Sequence, residues 1–351
     1  LATGGFLGVS VFFTLSGFLV GGQVLATAAR PRPAPFTFLH RRLRRLAPAS
    51  LATVVGVLAL SRTRVATWGV PDGFAPTDVM TAICQVANWH LVGLPDHPGF
   101  RLFGPLAHFW SLSVEAQWYL GLAAMAAVVW LTTHDPTRRR RRLLALAGVA
   151  WVASLAAALV VHGSLRREEF GTDIRLAEFA AGILLAGVST RSLAALTAHR
   201  RATDAAATAA LGALVAATVA VGRDAAWLAN GGYAALSMAW VVLIVGALHG
   251  DRVRRVLGSR PLAAAGRASY AAYLVHWPVV LLLTDARVPG GRAIAITVRL
   301  VVASLVASAL YLVVEHRVRR LLSRWSPFAF VSAWAAITFV LWVGAVVTLG
   351  P

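Results

Sequence analysis

Residues 108–162 read HFWSLSVEAQWYLGLAAMAAVVWLTTHDPTRRRRRLLALAGVAWVASLAAALVVH, and they decide the fold. Two apolar runs, 108–131 and 143–162, enclose a short polar segment carrying five consecutive arginines, Arg138 to Arg142. Each run has about the 20 residues that a helix needs to cross a bilayer's hydrocarbon core. Both are too long, and too rich in alanine, leucine and valine, for strands. A helix also satisfies its own backbone polar groups in lipid.

The pattern repeats along all 351 residues. Further spans are expected near 5–26, 46–62, 175–190, 203–222, 229–248, 268–285, 293–315 and 328–349. The fold class is therefore an all-α polytopic transmembrane bundle of about ten spans, forming a single membrane-embedded domain over 1–351. Composition agrees: 58% of residues are hydrophobic, 13% are charged and mean hydropathy is +0.70, against about a quarter charged in soluble domains. The stretch 74–94 is apolar but holds Asp78, Gln85, Asn88 and His90, and is expected as a re-entrant or interfacial helix.

The net charge of +19 comes from arginine, because lysine is absent. These arginines punctuate apolar spans and line no aromatic-interleaved groove, so nucleic acid is not the expected partner. They read as topogenic charge in contact with membrane lipid. Alternate loops, Arg30 to Arg45, Arg138 to Arg142, Arg191 to Arg201, Arg252 to Arg267 and Arg317 to Arg324, hold 23 of the 33. The positive-inside rule places that set in the cytoplasm, and the parity holds only if 74–94 does not cross. Cys84 is the single cysteine, which excludes intrachain disulfides and cysteine metal sites. No metal or permanently bound cofactor is expected. The chain begins at Leu1 with no visible signal peptide, and reads as a fragment cut on its N-terminal side.

Ionisable groups inside spans are costly and point to function. His108, Ser111 and Glu115 recur at i, i+3 and i+7, on one face of a helix, beside Trp110, Gln117 and Tyr119. Interhelical hydrogen bonding and an aromatic belt are the structural alternative. A second group is Tyr270, Tyr273 and His276, followed by Pro278, which removes a backbone donor and frees a carbonyl. Arg175 and Glu178 are spaced to pair, with Asp173 two residues before Arg175. Glu315 precedes His316 and Arg317 at the end of a span. Arg41, Arg42, Arg44 and Arg45 form a basic juxtamembrane segment; topogenic charge explains it, and so does a grip on a phosphorylated donor. The string from Gly4 to Phe18 carries no carboxylate and reads as close helix packing.

In this order the segments resemble the acyltransferase 3 family. Residues 4–18 are similar to its glycine-rich motif, 41–48 to its RR-x-x-R-x-x-P segment, and Asn88-Trp89 to an outer-loop element. Residues 108–119 resemble H-x-WSL-x-VE-x-Q-x-YL, Asp173 and Arg175 a D-x-R element, 269–278 SY-x-x-YL-x-HWP, and Glu315 a late E-x-x-x-R. The resemblance implies an acyltransferase of a bacterial cytoplasmic membrane. It would move an acyl group, usually acetyl, from acyl-CoA to a hydroxyl of a carbohydrate, a lipid-linked glycan or a glycosylated metabolite. His108, Ser111, Glu115, Tyr273 and His276 become catalytic candidates. Arg41, Arg42, Arg44 and Arg45 become donor-binding candidates, and Asn88, Trp110, Gln117, Asp173, Arg175 and Glu315 substrate-binding or structural ones. The pattern departs at Ser10 and Ala116, where the family carries acidic residues. An earlier helix with an arginine and, eleven residues on, a histidine that the resemblance makes the main catalytic base is also expected upstream. That leaves His108 and His276 as supporting or substitute bases; an extracytoplasmic domain occurs downstream in some members. An inactive homologue and a transporter or scaffold are the alternative readings.

Overall fold

The computed structural model describes residues 4–28, 30, 37–63, 68, 74–94, 104–161, 165–188, 190–196, 198–222, 225–318, 321 and 325–349. Parts of the expected loops, including Arg32, Arg319, Arg320, Arg324 and most of 64–73 and 95–103, lie outside these. The described residues are helical, with no strand among them.

Among the described residues there are fifteen α-helices: α1 (Gly8–Ala28), α2 (Thr37–Ser61), α3 (Pro76–Ile83), α4 (Ala87–Gly93), α5 (Phe109–Thr132), α6 (Pro136–Val160), α7 (Leu165–Phe170), α8 (Leu176–Gly187), α9 (Thr190–Leu196), α10 (Arg200–Ala220), α11 (Tyr233–His249), α12 (Arg252–Leu257), α13 (Arg260–Leu282), α14 (Arg292–Leu310) and α15 (Pro327–Leu349). Several of the basic loops are in large part helical, the arginines of 252–267 lying in α12 and α13. α2 starts nine residues before the expected span and winds the arginines of 41–45 into its first turns, and α6 does the same with Arg138 to Arg142. Asp135 caps α6, accepting from the Arg138 N–H at 2.7 Å, with Pro136 in the first turn.

Eight helices among the described residues are long and apolar enough to cross a membrane: α1 with its leading turn, α2, α5, α6, α10, α11, α14 running on to Val318, and α15. The expected count of about ten differs at two places. The stretch 175–190 yields only the 12-residue α8, about 18 Å long at 1.5 Å per residue. The stretch 268–285 is helical only to Leu282, as the second part of α13, which is 23 residues long but shares its length with the polar start from Arg260 and with Pro278. The stretch 74–94 is two helices of 8 and 7 residues, α3 and α4, each too short to cross. They are broken at Gln85, whose φ of 60° no helix accepts.

The chain packs as two compact units, residues 1–39 with 115–263, and residues 40–114 with 264–351. In the first unit α1 lies against α8 with main chain almost touching main chain. A β-carbon at Gly17 would stand 2.0 Å from the Phe179 carbonyl oxygen, and one at Gly182 2.1 Å from that of Thr14. Glycine at both positions is what admits this approach, as in lipid-embedded helix pairs generally. A second apolar cluster gathers Ala207, Leu214, Tyr233 and Leu243 from α10 and α11. In the second unit Val54, Val57, Val79, Ile83, Phe109, Leu112 and Leu274 form the core. Helices α14 and α15 add little to it and present Leu300, Leu305, Phe339 and Val347 outward, as spans facing lipid do.

Candidate active site

Pro278 organises the second unit's polar centre. Lacking an N–H, it cannot occupy the Leu274 carbonyl four residues back. His108 Nε2 takes that oxygen instead, at 2.9 Å. A carbonyl only accepts, so Nε2 carries the proton, and the lone pair of neutral His108 sits on Nδ1. Nδ1 is buried and has no hydrogen-bond partner among the described residues. His276 resolves the opposite way: Nδ1 donates to the Tyr273 carbonyl at 2.5 Å, leaving the lone pair on Nε2. The two imidazole rings are 5.5 Å apart, centre to centre.

Tyr273 joins them through its hydroxyl, which donates to the His108 carbonyl at 2.6 Å. It therefore accepts from Ser111 Oγ, 2.5 Å away. Four of the five expected catalytic residues, His108, Ser111, Tyr273 and His276, thus form one connected cluster on α5 and α13. Tyr270, one turn before Tyr273, faces α2: its hydroxyl meets the Leu46 carbonyl at 2.9 Å and Ser50 Oγ at 2.6 Å. Trp277 Nε1 donates to the Gly104 carbonyl at 2.9 Å, tying α13 to the chain entering α5. Trp110 and Asn88 are buried, and α4 is pinned to α5 where Ser113 Oγ accepts the Ala87 N–H at 3.2 Å. Arg41, Arg42, Arg44 and Arg45 are partly or fully exposed on α2, and Glu315 is buried in the wide helical turn 311–318.

Glu115, the fifth residue, belongs by packing to the first unit. Its carboxylate, 2% exposed, accepts from Ser16 Oγ and from Tyr119 OH on one and the same oxygen. Those two hydroxyls lie 2.5 Å apart. Neither was a sequence candidate: Ser16 reads as packing, and its partner is 99 residues away. Tyr119 did carry a signal, since it follows Glu115 by one helical turn.

The same unit holds an ion pair with no exposure. Arg175 donates from Nε and Nη2 to the two Glu178 oxygens, at 2.7 and 3.2 Å. Nη2 also reaches Ser10 Oγ at 3.2 Å and Nη1 the Glu169 carbonyl at 3.0 Å. The guanidinium carbon lies 3.9 Å from the centre of the Tyr233 ring and 5.3 Å from that of Phe13. The pairing of Arg175 with Glu178 expected from spacing is present. Asp173 takes no part in it and binds Arg167 through both oxygens, at 2.8 and 2.7 Å. Gln117 accepts from Thr172 Oγ1 at 2.5 Å. The irregular chain at 172–174 is held by side chains: Trp118 Nε1 donates to the Thr172 carbonyl, and Ser154 Oγ meets those of Asp173 and Ile174 and accepts the Ala177 N–H. Among the described residues no three His, Cys, Asp or Glu side chains gather as metal ligands would.

Residues 1–314, which hold the His108 cluster, the Glu115 cluster and the Arg175–Glu178 pair but stop one residue short of Glu315, match the family defined as acyltransferase domain. The chain belongs to the acyltransferase 3 family. Its curated relatives include O-acetyltransferase OatA of Staphylococcus aureus, 27% identical over 93% of this chain and 54% of the relative. Putative peptidoglycan O-acetyltransferase YrhL of Bacillus subtilis is 29% identical over 91% and 51%. Peptidoglycan O-acetyltransferase OatA of Listeria monocytogenes is 27% identical over 81% and 46%. The chain spans about half the length of these relatives. No solved structure matches it. As an acyltransferase 3 member with eight span-length apolar helices and bacterial relatives, it is a multi-pass integral protein of a bacterial membrane.

Proposed function

We propose that this chain is the membrane part of an O-acetyltransferase that moves an acetyl group from acetyl-CoA to a hydroxyl of a cell-envelope carbohydrate. Peptidoglycan is the acceptor that the relatives' names favour. The observation that carries this reading is the cluster of His108, Ser111, Tyr273 and His276, in which each imidazole has one nitrogen fixed as donor and the other left as a base. A histidine base suits removal of a hydroxyl proton at neutral pH. In the proposed step the base accepts the acceptor's proton and the alkoxide attacks the thioester carbonyl. The C–S bond then breaks, releasing CoA thiolate, which is reprotonated. Arg41, Arg42, Arg44 and Arg45 would grip the CoA phosphates, since the guanidinium fork matches phosphate oxygens.

The test supplies membranes carrying the protein with labelled acetyl-CoA and peptidoglycan fragments. Transfer is expected, with His108→Gln reducing it by about 100-fold or more, as for loss of a general base. Full transfer by His108→Gln would remove the site assignment. No transfer by the parent chain to any envelope carbohydrate would remove the function.

A further inference from the structure

A cavity that the candidate active site does not use lies at the arginine-rich end of α10. It measures about 540 Å³ and is lined by Arg201, Asp204, Ala205, Thr208, Ala209 and Arg252. Arg201, Ala205, Thr208 and Ala209 fall at i, i+4, i+7 and i+8, which is one face of a helix. That face continues, exposed, through Gly212 and Ala216. A β-carbon at Gly212 would meet nothing within 4 Å. An exposed apolar helix face therefore runs from the cavity along a membrane span.

The charges are arranged for an incoming anion. The Asp204 carboxylate is occupied, accepting the backbone N–H groups of Asp251, Arg252 and Val253 at 3.1, 3.1 and 3.5 Å. It thereby fastens the start of α12 to α10 and brings Arg252 to the cavity that Arg201 lines. The neighbouring Arg200 is taken by Asp251 at 2.7 Å. Arg201 and Arg252 are exposed, and neither forms a salt bridge among the described residues.

We infer that this cavity binds an anionic phospholipid, its phosphodiester between Arg201 and Arg252 and an acyl chain along Ala205, Ala209 and Gly212. Two guanidinium groups match a phosphodiester. Basic pockets beside membrane helices are suited to such headgroups, and the apolar helix face gives a lipid a second contact that a soluble phosphate lacks.

The test is native mass spectrometry of the whole protein in detergent, titrated with phosphatidylglycerol or phosphatidylcholine. Phosphatidylglycerol is expected to be retained in preference to phosphatidylcholine. The double variant R201Q/R252Q should bind it roughly 30-fold more weakly, from the loss of two near-surface arginine contacts. Thr208→Leu, an exposed substitution that fills part of the cavity and leaves both arginines, should also weaken retention. Equal retention of the two lipids, or unchanged affinity in either variant, would overturn the proposal. Displacement of the lipid by inorganic phosphate at equal concentration would overturn it in favour of a soluble-anion site.

Discussion

Replacing Glu178 by glutamine keeps the shape of the side chain and removes its charge, leaving the Arg175 guanidinium at a position with no solvent exposure. Ser10 and the Glu169 carbonyl would remain as hydrogen-bond partners, with the Glu169 carboxylate as a charge acting on the guanidinium, but the paired carboxylate in direct contact would be gone. Breaking one side of a buried pair costs about 3–5 kcal/mol. At about 2 °C per kcal/mol for a chain of this size, Tm should fall by roughly 6–10 °C. Tryptophan fluorescence during heating of the detergent-purified protein reads this directly, since the chain holds 12 tryptophans. The variant R175M/E178L removes both charges and should recover part of the loss, because apolar replacements for buried pairs are often neutral. The shortfall should be about 2 kcal/mol, for the two stranded groups at Ser10 and Glu169. A Tm unchanged in Glu178→Gln, or a double variant no better than the single one, would refute the reasoning.

Gly182→Ala should lower Tm, by the equivalent of about 1–3 kcal/mol for overpacking, because its β-carbon would stand 2.1 Å from the Thr14 carbonyl oxygen. Gly22→Ala, whose β-carbon would sit 3.7 Å from that of Ala186, should leave the same melting curve unchanged. Ser16→Ala removes a donor to the buried Glu115 carboxylate and should cost about 1.5–3 kcal/mol, read from thermal melts of the purified variant. Pro278→Ala restores an N–H that competes for the Leu274 carbonyl; acetyl transfer should fall while Tm holds or rises, and unchanged transfer would contradict the role given to the proline.

The membrane architecture was legible because its cause is one-dimensional: hydrophobic length and the placement of arginine decide where helices cross. The cluster around His108 was legible in part. Its members sit at helical spacing on two segments, and Pro278 announced a freed carbonyl without saying which side chain would claim it. The surroundings of Glu115 were not, because Ser16 lies 99 residues away and its glycine-flanked setting reads as packing. The spans expected at 175–190 and 268–285 do not emerge as span-length apolar helices, and the first has a related reason. The hydropathy of 175–190 looked sufficient, but the backbone at 172–174 is held irregular by Ser154 and Trp118, which no local pattern reports. Asp173 and Arg175 looked like one element from their spacing, whereas each is drawn to its own partner by geometry.

The shortness of α8 has a consequence for biogenesis. At about 18 Å it falls well short of the roughly 30 Å hydrocarbon core, and it opens on a charged pair, so the segment has little to recommend it to the insertion machinery by itself. Most of what receives it is made earlier in the chain: Ser10, Phe13, Thr14 and Gly17 on α1, Trp118 on α5 and Ser154 on α6. The ribosome has delivered the socket before the plug emerges. Its insertion is therefore a packing event between helices already in the membrane, and a lesion at Gly17 would register first as failed assembly and only afterwards as lost chemistry.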